Sequence, residues 1–276
     1  GVITFKDNSD GEIYDVALPR TEFANGDGGH KGFDITYDEN LPIEKDLIRR
    51  DAKFNAIAIN LNTNQIIDPH GGLDDIKNKQ TSLVNPDAFT DDPLRLLRFV
   101  GFTARNAGFK IAPESMSKIH QTAHRIKEIS SERILKEFEK IVEKGSPESG
   151  AKLLVETTLY QNIFGTKFNG SFVQFGKVKT LAEFMFLLMN GSITNPAQFY
   201  IQHFGDYGSL SKQLKAFELT RKEINTPAEE RWLMNTVNKI DPKAVGSFVV
   251  QDKLKDASIH PEERYPRKAA DLAVTG

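Results

Sequence analysis

The stretch Asp91-Asp92-Pro93-Leu94-Arg95-Leu96-Leu97-Arg98 begins the helical part of the sequence. Proline is favoured in the first turn of a helix, and acidic residues there suit the helix dipole, so this stretch reads as a helix start. The apolar residues that follow recur at steps of three and four, which predicts an amphipathic helix over residues 92–107. Its apolar face carries Leu97, Val100, Ala104 and Ala107, and a second face carries Asp91, Arg95, Arg98, Phe102 and Arg105.

Strand patterns are confined to the residues before this helix. Residues 2–6 and 12–18 predict a hairpin, residues 24–32 a mobile glycine-rich loop, and residues 43–61 a helix that runs into a strand. After about residue 85 only helices are predicted, with Gly108, Gly145 and Gly165 at helix ends. The further helices are expected over 113–125, 131–144, 147–161, 178–190, 195–203, 209–220, 227–239 and 242–254. The expected fold class is therefore α+β, with a partial head of β-sheet and helices followed by an all-α remainder.

Composition limits the classes of function. The 276 residues include 36 Lys and Arg against 38 Asp and Glu, a net charge of −2. Proteins that coat themselves in nucleic acid are usually basic, so any nucleotide or RNA contact must come from local arginine and lysine clusters. The absence of cysteine excludes disulfides and thiolate sites and agrees with a reducing compartment, so we expect the cytoplasm. No apolar run reaches the roughly 18 residues that a membrane span needs, so no membrane association is expected.

Two more charged stretches precede the helix. Arg49-Arg50-Asp51 is followed by Asn55-Ala56, and Asp68-Pro69 is followed by His70 and Gly71-Gly72-Leu73-Asp74-Asp75. Adjacent arginines suit polyphosphate, because a guanidinium pairs with two phosphate oxygens at once. Ordinary structural roles also remain open: an Arg pair bound to Glu44 or Asp46, a turn ordered by Asp68 with His70 facing solvent, a short helix capped by Asp74 or Asp75, and Asp–Arg pairs along an exposed helix face.

Together and in this order, the three stretches resemble the class II tRNA nucleotidyltransferases, or CCA-adding enzymes, and the related poly(A) polymerases. The resemblance is firm over residues 12–164. It implies a nucleotidyltransferase head over 1–80, a nucleotide-selecting helical neck over 81–145 and an RNA-binding helical body over 146–276. It also implies an enzyme that adds CMP and AMP from CTP and ATP to tRNA, with tRNA bound at its 3′ end and acceptor arm, and with Mg²⁺ as cofactor.

The resemblance assigns roles to individual residues. Arg50, Asp92, Arg95 and Arg98 would bind the nucleotide, with support from Asp51, Asn55, Asp68 and Arg105. Two positions depart from the family pattern: Asp91 stands where the family has Glu, and Gly101 stands where it has a further Arg. The change at Gly101 is expected to remove a cationic contact with the nucleotide, which Arg105 would partly replace.

Hydrogen-bond chemistry supports a selecting role for Asp92 and Arg95, whose three-residue spacing makes them neighbours on a helix. A carboxylate only accepts hydrogen bonds and a guanidinium only donates them. Cytosine and adenine both present an amino donor beside a ring-nitrogen acceptor, whereas guanine and uracil present the opposite order. An Asp–Arg pair would therefore accept C or A and leave two unpaired partners against G or U.

The family's first motif, Gly-Gly-x-x-Arg-Asp followed by Asp-x-Asp, does not occur in the sequence. Asp15 stands where the family carries a further catalytic, metal-binding acid, but one carboxylate cannot hold the two metal ions that such phosphoryl transfer uses. We therefore expect a fragment truncated at both ends, inactive as it stands. Two alternatives remain open: a bacterial-type poly(A) polymerase, which shares all three motifs, and a non-catalytic RNA- or nucleotide-binding protein.

Overall fold

The computed structural model describes residues 2–24, 33–206 and 208–256. The chain divides into two compact units, Gly1–Thr166 and Lys167–Gly276. Among the described residues, the first unit holds all the strands and eight of the thirteen α-helices, and the second unit is helical. The predicted α+β class is confirmed. The finer division at residues 80 and 145 stays a prediction.

The first unit begins with two hairpins. Strands β1 (Val2–Lys6) and β2 (Ile13–Ala17) pair antiparallel with Lys6 opposite Ile13, which confirms the predicted hairpin. Strands β3 (Arg20–Ala24) and β4 (Phe33–Tyr37) form a second antiparallel pair that the sequence analysis did not predict. The glycine-rich segment expected to be a mobile loop lies outside the described residues, apart from Ala24 at the end of β3.

Residues 43–61, predicted as a helix that runs into a strand, do contain both elements, but the helical part is short and interrupted. It contains a short helix α1 (Ile43–Leu47), a 3-10 helix (Lys53–Asn55) and strand β5 (Ala58–Asn60), which pairs with β6 (Gln65–Ile67). The chain then enters α2 (Gly72–Asn78).

Asp68 orders the start of α2, as predicted. Its carboxylate accepts the backbone N–H groups of Gly72 at 2.7 Å and Leu73 at 2.9 Å, which are free at a helix start. The expectation that Asp74 or Asp75 caps this helix is wrong, because both lie inside it. The carboxylate of Asp75 instead accepts the N–H of Ser82 at 2.8 Å and its hydroxyl at 2.7 Å, and so ties α2 to the chain that follows.

A short parallel pair joins this region to the helices. Strand β7 (Gln80–Thr81) pairs with β8 (Lys110–Ile111), so the expectation of helices alone after residue 85 is wrong at this point. A strand of two residues is too short to show an alternating pattern in the sequence.

The remaining helices of the first unit follow the predicted order. They are α3 (Ala88–Asp91), α4 (Leu94–Arg105), α5 (Pro113–Thr122), α6 (Ser131–Lys144), α7 (Pro147–Glu156) and α8 (Leu159–Phe164), with a 3-10 helix (Ala123–Glu128) after α5. The single helix expected over 147–161 is interrupted at Thr158, which takes a left-handed conformation with φ +60°. The apolar face of α4 is buried against α6 and α7, so the core holds this helix in place.

The described part of the second unit packs five α-helices. They are α9 (Leu181–Met189), α10 (Pro196–Phe204), α11 (Leu210–Glu218), α12 (Pro227–Ile240) and α13 (Phe248–Asp256), with 3-10 helices at Phe175–Lys177, Leu219–Arg221 and Pro242–Gly246. Helix α9 is buried from Ala182 to Met189 and forms the centre of this unit. Thr180 and Thr226 begin α9 and α12 with reciprocal capping bonds to Glu183 and Glu229. Among the described residues, no helix is both long and apolar enough to cross a membrane.

Candidate functional site

A polar cavity of about 370 Å³ lies in the first unit. It is formed by strands β3 and β4, the segment that follows α1 and the first turns of α4. Its lining residues are Arg20, Glu22, Ile35, Arg49, Arg50, Asp51, Asn55, Asp92, Arg95, Arg98 and Phe102. The structure thus brings together the four predicted nucleotide-binding residues and two of their predicted supports, Asp51 and Asn55.

The charge of the cavity favours an anion. Five arginines and three carboxylates line it, an excess of two positive charges. Arginine suits phosphate because its planar donors match two oxygens at once. A polyanion such as a triphosphate therefore fits the cavity better than a neutral or cationic ligand.

Glu22 connects three of the arginines. Its Oε1 lies 2.7 Å from Arg20 and 3.1 Å from Arg49, and its Oε2 lies 3.7 Å from Arg95. The Glu22 side chain is only 11% exposed, so water screens these pairs little. Glu22 therefore fixes guanidinium groups that come from β3, from the segment after α1 and from α4.

Asp51 is the second shared carboxylate and is buried beneath the cavity. Its Oδ1 lies 3.2 Å from Nε of Arg95, and its Oδ2 lies 2.8 Å from Arg98. Asp51 Oδ2 accepts no hydrogen bond from the described residues, so its contact with Arg98 is electrostatic. Burial raises the pKa of Asp51, and the nearby charges of Arg98 and Arg95 oppose that rise. Asp51 holds these two arginines at the cavity.

Arg49 and Arg50 both bind Asp46, at 2.9 Å and 3.1 Å. Burial acts to raise the pKa of Asp46, but the hydrogen bond from Arg49 and the N–H of Arg20 outweigh it, and the pKa is lowered. The structural alternative of an Arg pair bound to Asp46 is therefore correct. It coexists with a binding role, because the Arg50 side chain is still 45% exposed at the cavity.

Asp92 reaches the cavity from just before α4, not from within the helix. The expected position on the helix is wrong: Asp92 is extended, with φ −139° and ψ 101°. The cause is Pro93, since a residue that precedes proline is sterically driven out of the helical region. Asp92 Oδ1 accepts the N–H of Leu94 at 3.1 Å, and Arg133 of α6 lies 3.8 Å from the same oxygen.

Phe102 lies one turn beyond Arg98 and lines the cavity with its ring. The guanidinium of Arg98 lies 5.8 Å from the ring centre and that of Arg105 lies 5.2 Å from it. Arg105, predicted as a supporting residue, contacts this ring but does not line the cavity itself.

Gly101 lies on a different face of α4 from the cavity residues. A Cβ built on it would lie 3.6 Å from Ile141 of α6, an ordinary packing distance. Gly101 therefore packs on α6 and does not line the cavity, and the expected loss of a cationic contact with the nucleotide at this position stays a prediction.

Asp15 does not line the cavity. It lies exposed on β2 and accepts a hydrogen bond from Thr4 at 2.6 Å. Within the described ranges, no three His, Asp or Glu side chains are grouped so that they could hold a metal ion. The described residues therefore do not fit the expected pair of Mg²⁺ ions.

His70 was expected to face solvent, and this is wrong. It is half-buried beside a second cavity of about 1080 Å³, which residues of α2 and α5 also line. Its Nε2 is buried and has no hydrogen-bond partner among the described residues.

Arg20 and Glu22 line the cavity although they were not predicted to do so. The available signal was their two-residue spacing in a β-type run, because alternate residues of a strand point to the same face. Recognising it required β3, which was not predicted.

Two family models match the chain. The Poly A polymerase head domain matches residues 1–82, and the probable RNA and SrmB-binding site of polymerase A matches residues 108–166. The first model covers β1 to β7, and the second covers the chain from the end of α4 to the end of α8.

Known proteins of similar sequence point to the same family as the two family models. A Multifunctional CCA protein of Mannheimia succiniciproducens is 35% identical over 154 residues, which cover 54% of this chain and 36% of that protein. One from Xylella fastidiosa is 41% identical over 128 residues, or 45% of this chain and 30% of that protein. The chain thus spans about a third of the length of these relatives.

Solved structures share the fold at lower identity. The Bacillus stearothermophilus CCA-adding enzyme in complex with CTP superposes with a TM-score of 0.67 at 22% identity, over 93% of this chain and 62% of that one. The Thermotoga maritima CCA-adding enzyme complexed with tRNA gives 0.57 at 18% identity, over 95% and 65%. The solved structures show the fold, whereas the two family models together match just over half of the chain, and with the sequence relatives they show that it belongs to the family of class II CCA-adding enzymes and poly(A) polymerases.

Proposed function

We propose that the protein is a tRNA nucleotidyltransferase that adds CMP and AMP, from CTP and ATP, to the 3′ end of tRNA and releases pyrophosphate. The observation that carries the proposal is the cavity in which Asp92 and Arg95 lie together beside Arg50 and Arg98. It combines a base-selecting acceptor and donor with cationic groups for a triphosphate. The 35–41% identity to Multifunctional CCA proteins supports CCA addition over poly(A) addition.

Base selection rests on two side chains of opposite hydrogen-bonding character. Asp92 accepts the exocyclic amino group of cytosine or adenine, and Arg95 donates to the adjacent ring nitrogen. Asp92 is 13% exposed and Arg95 is 10% exposed, so a wrong base would leave both groups unpaired in a largely dry site. That penalty gives selectivity without a nucleic-acid template.

Triphosphate binding rests on arginines that are already oriented. Arg50 is held by Asp46 and Arg98 by Asp51, and both side chains keep nearly half of their surface exposed. Because their carboxylate partners fix them in advance, little side-chain entropy is lost when phosphate binds. Asn55, at the end of the 3-10 helix, lines the same cavity and serves as a neutral donor or acceptor beside them.

The proposal extends to tRNA, Mg²⁺ and compartment. The tRNA 3′ end and acceptor arm would bind through the helical body over residues 146–276, which in sequence follows the head over 1–80 and the selecting neck over 81–145. Mg²⁺ would supply charge neutralisation at the triphosphate, but the described residues do not form a site for it. The reaction would take place in the cytoplasm.

Equilibrium binding of CTP, ATP, UTP and GTP to this chain tests the selecting site without requiring turnover. We expect CTP and ATP to bind at least about tenfold more tightly than UTP and GTP, since an unpaired buried partner costs about 1–3 kcal/mol. Equal affinity for all four nucleotides would refute the selecting role of Asp92 and Arg95.

A second assay separates the alternatives. The protein as its gene encodes it, from start to stop, is incubated with a tRNA that lacks CCA, and product length is measured. Three added nucleotides support CCA addition, and a long A tail supports a poly(A) polymerase. Selective nucleotide binding without any transfer supports a non-catalytic binding protein.

A further inference from the structure

The turn between α9 and α10 carries two adjoining pockets in the second unit. The Arg221 pocket has a volume of about 390 Å³ and is lined by residues 190–194 and by Arg221. The amide pocket has a volume of about 280 Å³ and is lined by residues 193–195 and by Gln198, Phe199 and Gln202 of α10. Residues 193 and 194 line both pockets, so one ligand can occupy the two together.

Neutral groups hold the positive charge of the Arg221 pocket in place. Nε of Arg221 donates to Oδ1 of Asn190 at 3.0 Å, one terminal nitrogen donates to the carbonyl of Ile193 at 3.0 Å, and the other donates to the carbonyl of Thr194. A guanidinium has five N–H groups, so these three bonds leave one N–H on each terminal nitrogen. Burial lowers the pKa of Arg221, although the charge of Glu218 opposes this. A partly desolvated cation with two N–H groups to spare suits an anion.

Ser192 adds a neutral donor to the same pocket. Its hydroxyl oxygen accepts the N–H of Asn169 at 2.8 Å, and a hydroxyl that accepts in this way can still donate its own proton. Two guanidinium N–H groups and one hydroxyl match the oxygens of a phosphate group, which accept several hydrogen bonds at once.

The amide pocket offers groups that pair with the edge of a base. Asn195, Gln198 and Gln202 line it at steps of three and four, which places them on one side of α10. Each carboxamide carries both donors and an acceptor. Phe199 forms an apolar wall of the pocket, and its ring stacks on that of His203 with 3.9 Å between the ring centres. An aromatic wall beside hydrogen-bonding groups is the usual environment of an unpaired base bound by protein.

The charge of the second unit favours a strand of nucleic acid. Residues 167–276 include 15 Lys and Arg against 12 Asp and Glu, a net charge of +3, whereas residues 1–166 include 21 against 26, a net charge of −5. Lys222 follows Arg221 in sequence, and its Nζ lies 4.6 Å from the ring centre of Trp232, a residue that is 42% exposed. A second cation and a second aromatic ring thus follow Arg221, and this combination is typical of surfaces that bind single strands.

We propose that the Arg221 pocket and the amide pocket together bind one unpaired nucleotide of an RNA strand, with its phosphate at Arg221 and its base at Gln198 and Gln202. Duplex RNA keeps its base edges paired and stacked, so only an unpaired nucleotide can enter the amide pocket. The inference deepens the proposed function by naming where RNA is held, and it rests on that function for the identity of the ligand as RNA. It assigns a site to residues 190–202 and 221, which lie outside both matched family models.

The test measures the affinity of the whole chain for a short, labelled single-stranded RNA, in the presence of saturating CTP to fill the cavity of the first unit. Arg221→Gln should weaken this binding about tenfold, because a charge-assisted bond to phosphate is lost. It should also reduce the slope of log affinity against log salt concentration by about 0.7, the value for one phosphate contact on a single strand. A purely structural role of Arg221 would leave that slope unchanged.

Gln198→Ala combined with Gln202→Ala tests the amide pocket and replaces the arginine variant if that variant does not fold, since both glutamines are exposed. This double variant should weaken the strand about fivefold without changing the salt slope, because the amides pair with the base and carry no charge. Lys215→Gln and Gln213→Ala are the matched controls. Both positions lie on α11 and outside the two pockets, so these variants should bind the strand as the parent does.

Competitors identify the ligand. AMP, which has one phosphate and one base but no continuing strand, should displace the labelled RNA only at concentrations at least about tenfold higher. Displacement by AMP at equal concentration would assign the pockets to a free nucleotide and overturn the strand. Equal affinity for duplex RNA, or equal displacement by poly-glutamate, would also overturn the proposal.

The outcomes separate this site from the cavity of the first unit. If CTP and ATP are preferred there and the affinity for the strand is unchanged in both the arginine and the glutamine variants, the inference fails and the selecting site stands. If the chain shows no nucleotide preference and the strand still depends on Arg221, the selecting site fails and the RNA site stands.

Discussion

Among the contacts that Asp92→Ala removes, two have effects that can be measured separately. The first is the acceptor for the base amino group, a charged hydrogen bond worth about 1.5–3 kcal/mol in a site where the side chain is only 13% exposed. We therefore expect the preference for CTP and ATP over UTP and GTP to fall at least about tenfold. The second is the bond to the N–H of Leu94 at 3.1 Å, the loss of which should cost about 1 kcal/mol of unfolding free energy.

Nucleotide binding measures the first effect and urea unfolding measures the second. Thr226→Ala is the matched control, because Thr226 caps α12 in the second unit with a bond to the N–H of Glu229 at 3.3 Å. It should cause a similar loss of stability with no change in nucleotide preference. If Asp92→Ala loses about 1 kcal/mol of stability and keeps the parent preference, Asp92 is only a cap and the selecting role is refuted.

Three further changes test the surroundings of the cavity. Arg98→Gln should weaken the binding of all four nucleotides by about tenfold and leave the ratios of their affinities unchanged, because Arg98 would contact phosphate and not the base. A change in these ratios would contradict that assignment. Asp68→Ala should lose about 1–2 kcal/mol of unfolding free energy at neutral pH. Burial acts to raise the pKa of Asp68, but the N–H groups at the start of α2 outweigh it and hold the pKa below its ordinary value. The stability that Asp68 contributes is therefore present at neutral pH and is lost as the pH falls through the lowered pKa. Urea unfolding should show the free energies of the variant and the parent converging in acid. Gly101→Ala should raise the unfolding free energy by about 0.5–1 kcal/mol, whereas Gly150→Ala should lower it, because their added Cβ atoms would lie 3.6 Å and 2.4 Å from Ile141; equal effects in thermal unfolding would contradict this packing.

The helices were predictable because local chemistry marks their starts. Proline stands at the first position of α5, α7, α10 and α12, where its missing N–H costs nothing. The interruption at Thr158 was not predictable, because threonine does not favour the left-handed conformation that it adopts there. The two-residue strands β7 and β8 were missed for a different reason: they depend on contact between segments 30 residues apart in sequence, as the pairing of Gln80 with Lys110 shows.

The cavity was partly predictable. The spacing of Arg95, Arg98 and Phe102 placed them on one face of α4, and all three line the cavity. The sequence could not say which carboxylate each arginine would bind. Arg50 pairs with Asp46, four residues away, whereas Arg98 pairs with Asp51, which lies in a distant segment of the chain. Such pairings depend on tertiary packing, which the spacing of residues in the sequence does not show.

The contact between Arg133 and Asp92 joins two helical segments that the motifs treat as separate. Arg133 stands near the start of α6 and Asp92 stands just before α4, and the two helices pack on each other. A substitution that shifts α6 on α4 would therefore move a positive charge beside Asp92 without changing any residue that lines the cavity. A screen for altered nucleotide preference should accordingly include the interface between α4 and α6.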